Sequence, residues 1–176
     1  MTPAQTPEFS RTVALNLLGS RPRQETIAAT SDECAALAAR FGWIALDRLN
    51  ARFDLIREGD TVTAKGTVEA ALAQACVVTG EAMPVMLAEA VTLRFVPPQD
   101  AAPDSEIELS VEDADTLVHD GQTIDIGEAA AETVALALDP YPRSSGADAV
   151  LKAAGVTSDD EAVTGPFAAL KSIRDR

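Results

Sequence analysis

Few side chains in this sequence could carry out chemistry, and none stands in a catalytic arrangement. The only histidine, His119, lies in a His-Asp-Gly turn between two short apolar segments. A histidine-aspartate pair in a turn is typical of solvated turn chemistry rather than of half a catalytic pair. His119 is the only histidine that a Ser-His-Asp triad could use, and no Gly-x-Ser-x-Gly nucleophile elbow precedes a helix. We therefore expect no catalytic residue and no enzymatic activity.

Acidic side chains are crowded beside a proline-rich stretch, where they resemble a solvated edge rather than an acid-base pair. Five of them fall within ten positions: Glu106, Glu108, Glu112, Asp113 and Asp115. A general acid must be held in a dry environment that raises its pKa, and nothing around these residues indicates burial. No Asp-x-Asp-x-Asp-Gly calcium loop occurs either.

The two cysteines do not form a metal site. Cys76 begins a Cys-Val-Val-Thr-Gly turn, in which the position of a second cysteine is taken by Thr79. A closed zinc site needs four ligands, and two cysteines with one histidine do not supply them. Cys34 is expected to be a small core residue on a helix. Phosphate-binding glycine loops are also absent, so we expect no metal and no cofactor.

The elements that position these residues are two helices and a set of strands. Thr30 to Glu33 has the spacing of a capping box, and Cys34, Leu37, Ala38 and Phe41 then form one apolar face that ends at Gly42. A second helix is predicted to begin at residues 125–128 and to stop at Pro140.

The strands are indicated by apolar and polar residues in alternation. Residues 49–55 and 62–72 alternate on either side of a turn at 57–60, and a third strand is predicted from about Val85 to Val96. Shorter strands are predicted over 9–17, 107–111 and 116–118. The fold class expected is α+β: an antiparallel β-meander or partly open barrel, two short helices packed on it, and a loosely ordered C-terminal tail. Residues 1–142 are predicted to form a single domain, and 143–176 a polar linker with a docking tail.

Charge is unevenly distributed along this acidic chain. The net charge is −14, but residues 1–57 hold seven Lys/Arg against six Asp/Glu, and residues 140–176 hold five against five. The excess acid lies in residues 58–139, with seventeen Asp/Glu against two Lys/Arg. The two ends are therefore where an anionic partner is tolerated. No apolar run has the form of a signal peptide or a membrane span, so a cytoplasmic protein with no membrane partner is expected.

Three parts of the sequence together resemble the YceD-like family. Residues 74–84, QACVVTGEAMP, resemble its cysteine knuckle with Thr79 in place of the second cysteine. Residues 120–126, DGQTIDI, lead into 135–142, ALALDPYP, which is similar to the family's Leu-Ala-Leu-x-Pro helix end. Residues 165–171, GPFAALK, resemble its terminal Asn-Pro-Phe-x-x-Leu tail. The chain departs from the family in that no Cys or His follows Pro142, and in that Gly165 replaces the asparagine.

The resemblance implies a non-enzymatic role in the synthesis, processing or stability of large-subunit ribosomal RNA. The leading hypothesis is direct contact with ribosomal RNA or a pre-ribosomal particle through the arginine-bearing ends, whose phosphate contacts position the protein without reading sequence. The predicted contact residues are Arg11, Arg21, Arg23, Lys171, Arg174 and Arg176. The alternative is an acidic chaperone or adaptor for a basic ribosomal protein, in which residues 58–139 mask the partner's charge. A ligand-binding barrel also fits the meander, but no convergent polar groups support it.

Overall fold

The computed structural model describes residues 7–98 and 115–156, which fold into a mixed α+β structure as expected. The described residues form seven strands and three α-helices in this order: β1 (Thr12–Ala14), β2 (Arg23–Ala28), α1 (Ser31–Phe41), β3 (Ala45–Glu58), β4 (Thr61–Ala75), β5 (Ala82–Val96), β6 (Thr116–Val118), β7 (Thr123–Asp125), α2 (Ile126–Ala137) and α3 (Ala147–Ala153). The first predicted strand is shorter than expected, because a 3-10 turn at Leu15–Leu17 ends it. The strand predicted over 107–111 lies outside the described residues.

A five-stranded sheet in the order β2-β3-β4-β5-β6 forms the body of the fold. Strands β2, β3 and β4 pair antiparallel, which confirms the predicted hairpin. Strand β6 instead pairs parallel with β5, and β1 pairs with β7 in a separate two-stranded sheet. Among the described strands neither sheet closes into a barrel.

The hairpin of β3 and β4 buries one face because its apolar residues alternate with polar ones. Phe53, Leu55, Val62 and Val68 are all fully buried. Gly59 makes the turn with a φ of 62°, a conformation that favours glycine.

Both long helices pack on this buried face. Helix α1 has the predicted capping box, in which Thr30 and Glu33 satisfy each other's backbone N–H groups. Helix α2 begins where predicted, at the N-cap Asp125, whose side chain accepts from two backbone N–H groups. Leu37 of α1 and Val134 of α2 are completely buried in the same core as the inner residues of the sheet. The opposite face of β2, β3 and β4 therefore stays open to solvent.

The chain divides into two compact units. The first comprises Met1–Gln74 and Pro84–Asp139, and the second Ala75–Met83 and Pro140–Arg176. In the second unit, the Val77 N–H donates to the Pro142 carbonyl at 2.9 Å, and α3 forms within the segment predicted to be a polar linker. The predicted domain boundary at residue 142 stays a prediction. The tail beyond residue 156 is outside the described residues, and no described helix has the length and apolarity to cross a membrane.

Candidate nucleic-acid interface

Arg11, a predicted contact residue, is engaged in the protein's own structure. Its guanidinium donates to Oε1 of Glu33 at 2.8 Å and to Oε2 at 2.9 Å. It also donates to the carbonyl oxygens of Ser10 and Ala28, and lies 4.6 Å from the ring centroid of Phe9. The pKa of Glu33 is lowered to about 2, chiefly by the hydrogen bonds from Arg11 and next by the hydrogen bond from the backbone N–H of Thr30, the N-cap of α1. Arg11 thus joins the N-terminal segment to α1, and its role in RNA contact stays a prediction.

Arg23 begins β2, which is an edge strand of the large sheet, and Arg21 lies two residues before it. Both side chains belong to exposed residues. Arg23 donates from Nε to Glu25 at 2.6 Å, and the two side chains are 42% and 25% exposed. Arg21 has no acidic partner in the part of the chain that the structure describes. An exposed pair of this kind costs little to break, so both cations are available to an external anion.

The loop that presents Arg21 is held in place by Arg57. The Arg57 backbone N–H donates to the Gly19 carbonyl at 2.9 Å. Its guanidinium donates to the carbonyl of Leu15 at 3.0 Å and to that of Gly59 at 2.8 Å. The side chain therefore fixes the loop and does not lie free along the strand. The remaining predicted contact residues, Lys171, Arg174 and Arg176, lie outside the described residues.

A second group of cations lies on the surface of β2, β3 and β4 opposite the helices, which we call the open face. Arg48 and Arg52 of β3 and Lys65 of β4 are exposed there. None of the three makes an ion pair within residues 7–98 and 115–156. Apart from Ala71, which lies opposite Arg48, their neighbours on the open face are polar: Gln24, Thr26, Asn50, Asp54, Thr67 and Glu69. In a chain with 28 acidic residues, three unpaired cations on one sheet face mark a surface suited to an anion.

His119 is buried, so its prediction as a solvated turn residue is wrong. Its side chain is 6% exposed. The Gly121 N–H donates to Nδ1 at 2.9 Å, which leaves the ring proton on Nε2 to donate to the Asp60 carbonyl at 2.8 Å. The imidazole therefore links two turns, and each of its nitrogens makes a hydrogen bond. A long-range partner 59 residues away gives no local signal in the sequence.

Acidic side chains line a depression of about 330 Å³ beside His119, but most of them have internal partners. Asp120 accepts from two backbone N–H groups of its own turn, and Asp125 caps α2. Glu128 accepts from Arg40 at 2.9 and 2.6 Å. Glu132 differs, since burial and then the nearby charge of Glu128 raise its pKa. Apart from Glu132, these carboxylates therefore stabilise the fold, and the cluster offers few free carboxylates to a basic partner.

In the second unit, Cys76 lies in a tight turn with its sulfur facing backbone amides. Its Sγ accepts from the Ser144 N–H at 3.3 Å and from the Thr79 N–H at 3.5 Å. These bonds, Ser144 first, lower the thiol's pKa to about 6. Cys34 is a buried core residue, as predicted, and burial raises its pKa. Within the described ranges no group of three or more His, Cys, Asp or Glu could hold a metal ion.

Comparison with known proteins identifies one family. The family model described as large ribosomal RNA subunit accumulation protein YceD matches residues 64–174, which is more than half of the chain. No curated protein and no solved structure matches.

Proposed function

The chain belongs to the YceD family of large ribosomal RNA subunit accumulation proteins, and we propose that it supports this RNA by binding it directly or within a pre-ribosomal particle. The proposed role is in synthesis, processing or stability of the RNA. It is a cytoplasmic role and involves no catalysis. The contacts are made to phosphates, so they position the protein without reading base sequence.

The observation that supports direct contact is a set of exposed, unpaired cations in the first unit. Arg21 precedes β2, Arg48 and Arg52 lie on the adjacent strand β3, and Lys65 lies on β4, the strand beyond it. Although acidic residues outnumber basic ones by two to one, with 28 against 14, these four have no acidic partner among the described residues. Arginine is well suited to phosphate because its planar group donates two parallel hydrogen bonds.

The residues that we propose to contact RNA are the exposed Arg21 and Arg23, with Lys171, Arg174 and Arg176 from the end of the chain. Arg11 ties the N-terminal segment to α1, and its contact with RNA stays part of the proposal. Most acidic groups around the α2 depression are already bound to backbone or to Arg40, which gives the acidic chaperone alternative little support there.

Ultraviolet crosslinking in cells tests direct contact, because only groups that touch RNA are joined to it. A tagged full-length chain is recovered after irradiation, and the bound RNA is sequenced. We expect enrichment of defined segments of large-subunit RNA, and at least tenfold loss of this signal when Arg21→Glu and Arg23→Glu are combined. The matched control combines Arg143→Glu and Lys152→Glu, which changes the net charge equally at two exposed positions of the second unit.

Two results would contradict the proposal. Equal loss of signal in both double variants would mean that bulk charge, and not the Arg21 surface, governs the association. Recovery of one basic ribosomal protein without crosslinked RNA would favour the chaperone or adaptor in its place.

A further inference from the structure

Arg52 is placed at the middle of the open face between two hydroxyl groups. In the sheet register it lies opposite Thr26 of β2 on one side and Thr67 of β4 on the other. Side chains directly opposite each other on neighbouring strands lie about 5 Å apart. Arg52 makes no hydrogen bond or ion pair within the part of the chain that the structure describes. Its guanidinium and the two hydroxyls therefore form a row of donors directed to solvent.

A carboxylate lies on the next row of the same face. Glu69 is opposite Asn50, and Asn50 is two residues from Arg52 along β3, roughly 7 Å at the rise of an extended strand. A depression of about 330 Å³ joins the two rows, and its lining includes Arg52, Thr67, Asn50 and Glu69. Glu69 is exposed and has no cation partner among the described residues, so the depression presents donors at one end and an acceptor at the other.

We propose that this depression binds one nucleotide of single-stranded RNA, with a backbone phosphate on Arg52 and the threonine hydroxyls, and the ribose 2′-hydroxyl donating to Glu69. The inference rests on the proposed function and assigns it a surface. A free phosphate would satisfy the donors but would meet a repulsive carboxylate at Glu69. A ribonucleotide supplies an anion and a hydroxyl donor together, and the 2′-hydroxyl is the group that distinguishes RNA from DNA.

The neighbouring cations extend the site along the strands. Arg48 lies four residues from Arg52 on the same face, and Lys65 lies one row beyond Arg52 on β4. Asp54, opposite Lys65, already accepts from the Gln24 amide at 3.1 Å. The described part of the open face carries no aromatic side chain, so bases have nothing to stack on. Binding should therefore follow the RNA backbone and tolerate different base sequences.

Fluorescence anisotropy with the purified full-length chain tests the site. The probes are a labelled single-stranded oligoribonucleotide of mixed sequence and the deoxyribonucleotide of the same sequence, each titrated over a salt series. We expect Arg52→Gln to weaken RNA binding about tenfold and to reduce the salt slope by about 0.7, the value for one phosphate contact on a single strand. Glu69→Ala, which removes the acceptor, should leave the salt slope almost unchanged and remove the preference for RNA over DNA. Arg143→Gln, an exposed arginine of the second unit, is the matched control and should change the affinity less than twofold.

The possible results separate this site from the proposed function. If the wild-type chain binds RNA, and Arg21→Glu with Arg23→Glu abolishes the binding while Arg52→Gln does not, the proposed function stands and this site is wrong. If Glu69→Ala keeps the RNA preference, the assignment of the ribose hydroxyl is overturned. If the wild-type chain binds neither probe and crosslinks to no RNA in cells, both proposals fail. Circular dichroism spectra of the variants should match that of the wild type, because both side chains are exposed.

Discussion

Replacing Arg11 with methionine tests whether this arginine stabilises the fold. Its partner Glu33 has a pKa lowered from 4.5 to about 2, and a shift of this size corresponds to about 3 kcal/mol at most. The Thr30 backbone N–H contributes to the shift, and the Arg11 and Glu33 side chains are 33% and 21% exposed. After allowance for solvent screening, we expect Arg11→Met to lower the free energy of unfolding by about 1 to 1.5 kcal/mol at neutral pH.

The loss of unfolding free energy caused by Arg11→Met should depend on pH, because Arg11 pairs with Glu33 only when that carboxyl is ionised. A carboxylate with a lowered pKa stabilises the native state above its unfolded value of 4.5, and this contribution disappears as the pH falls towards 2. Urea unfolding followed by circular dichroism, at neutral pH and at about pH 3, should therefore show a smaller difference in acid. Arg48→Met is the control, an exposed arginine without a partner among the described residues, and should cost less than about 0.5 kcal/mol. If Arg11→Met lowers the unfolding free energy equally in acid and at neutral pH, the ion-pair reasoning is refuted. If it lowers it at neither pH, Arg11 does not stabilise the fold.

Three further predictions concern other parts of the molecule. Gly66→Ala should cost more than about 2 kcal/mol in urea unfolding, because the new Cβ would collide with backbone and ring atoms of β3, whereas Gly19→Ala meets open space. Glu132→Gln should raise the melting temperature at neutral pH and not below about pH 4, because a carboxyl with a raised pKa destabilises the fold only once it is ionised; an equal gain at both pH values would contradict this. The ultraviolet absorbance of the Cys76 thiolate, measured in a Cys34→Ser background, should titrate with a midpoint near pH 6. A midpoint near the ordinary value of 9 would show that the two hydrogen bonds from backbone amides to the sulfur do not form.

Local sequence patterns predicted where helices and strands form, but not which strands pair with each other. The capping box at Thr30 and the N-cap at Asp125 follow from neighbouring residues, so the starts of both helices were predictable. The parallel pairing of β6 with β5 and the antiparallel pairing of β1 with β7 join strands that are separated along the chain. No periodicity within one strand specifies its partner in a sheet.

The candidate site shows the same division. The exposure of Arg21 beside Pro22 was predictable from the turn. The engagement of Arg11 was not, since its partner Glu33 lies 22 residues away. The site at Arg52 depends on the register that places Thr26 and Thr67 on either side of it. Burial of His119 likewise required a carbonyl contributed by a distant turn.

The ratio of large-subunit to small-subunit ribosomal RNA, measured in cells whose only copy of this chain is a variant, tests the central claim most directly. The account predicts that the ratio falls when Arg21→Glu and Arg23→Glu are combined, and that it stays at the wild-type value when Arg143→Glu and Lys152→Glu are combined at equal protein abundance. A wild-type ratio in the Arg21 and Arg23 variant would contradict the claim that the chain supports this RNA through these cations.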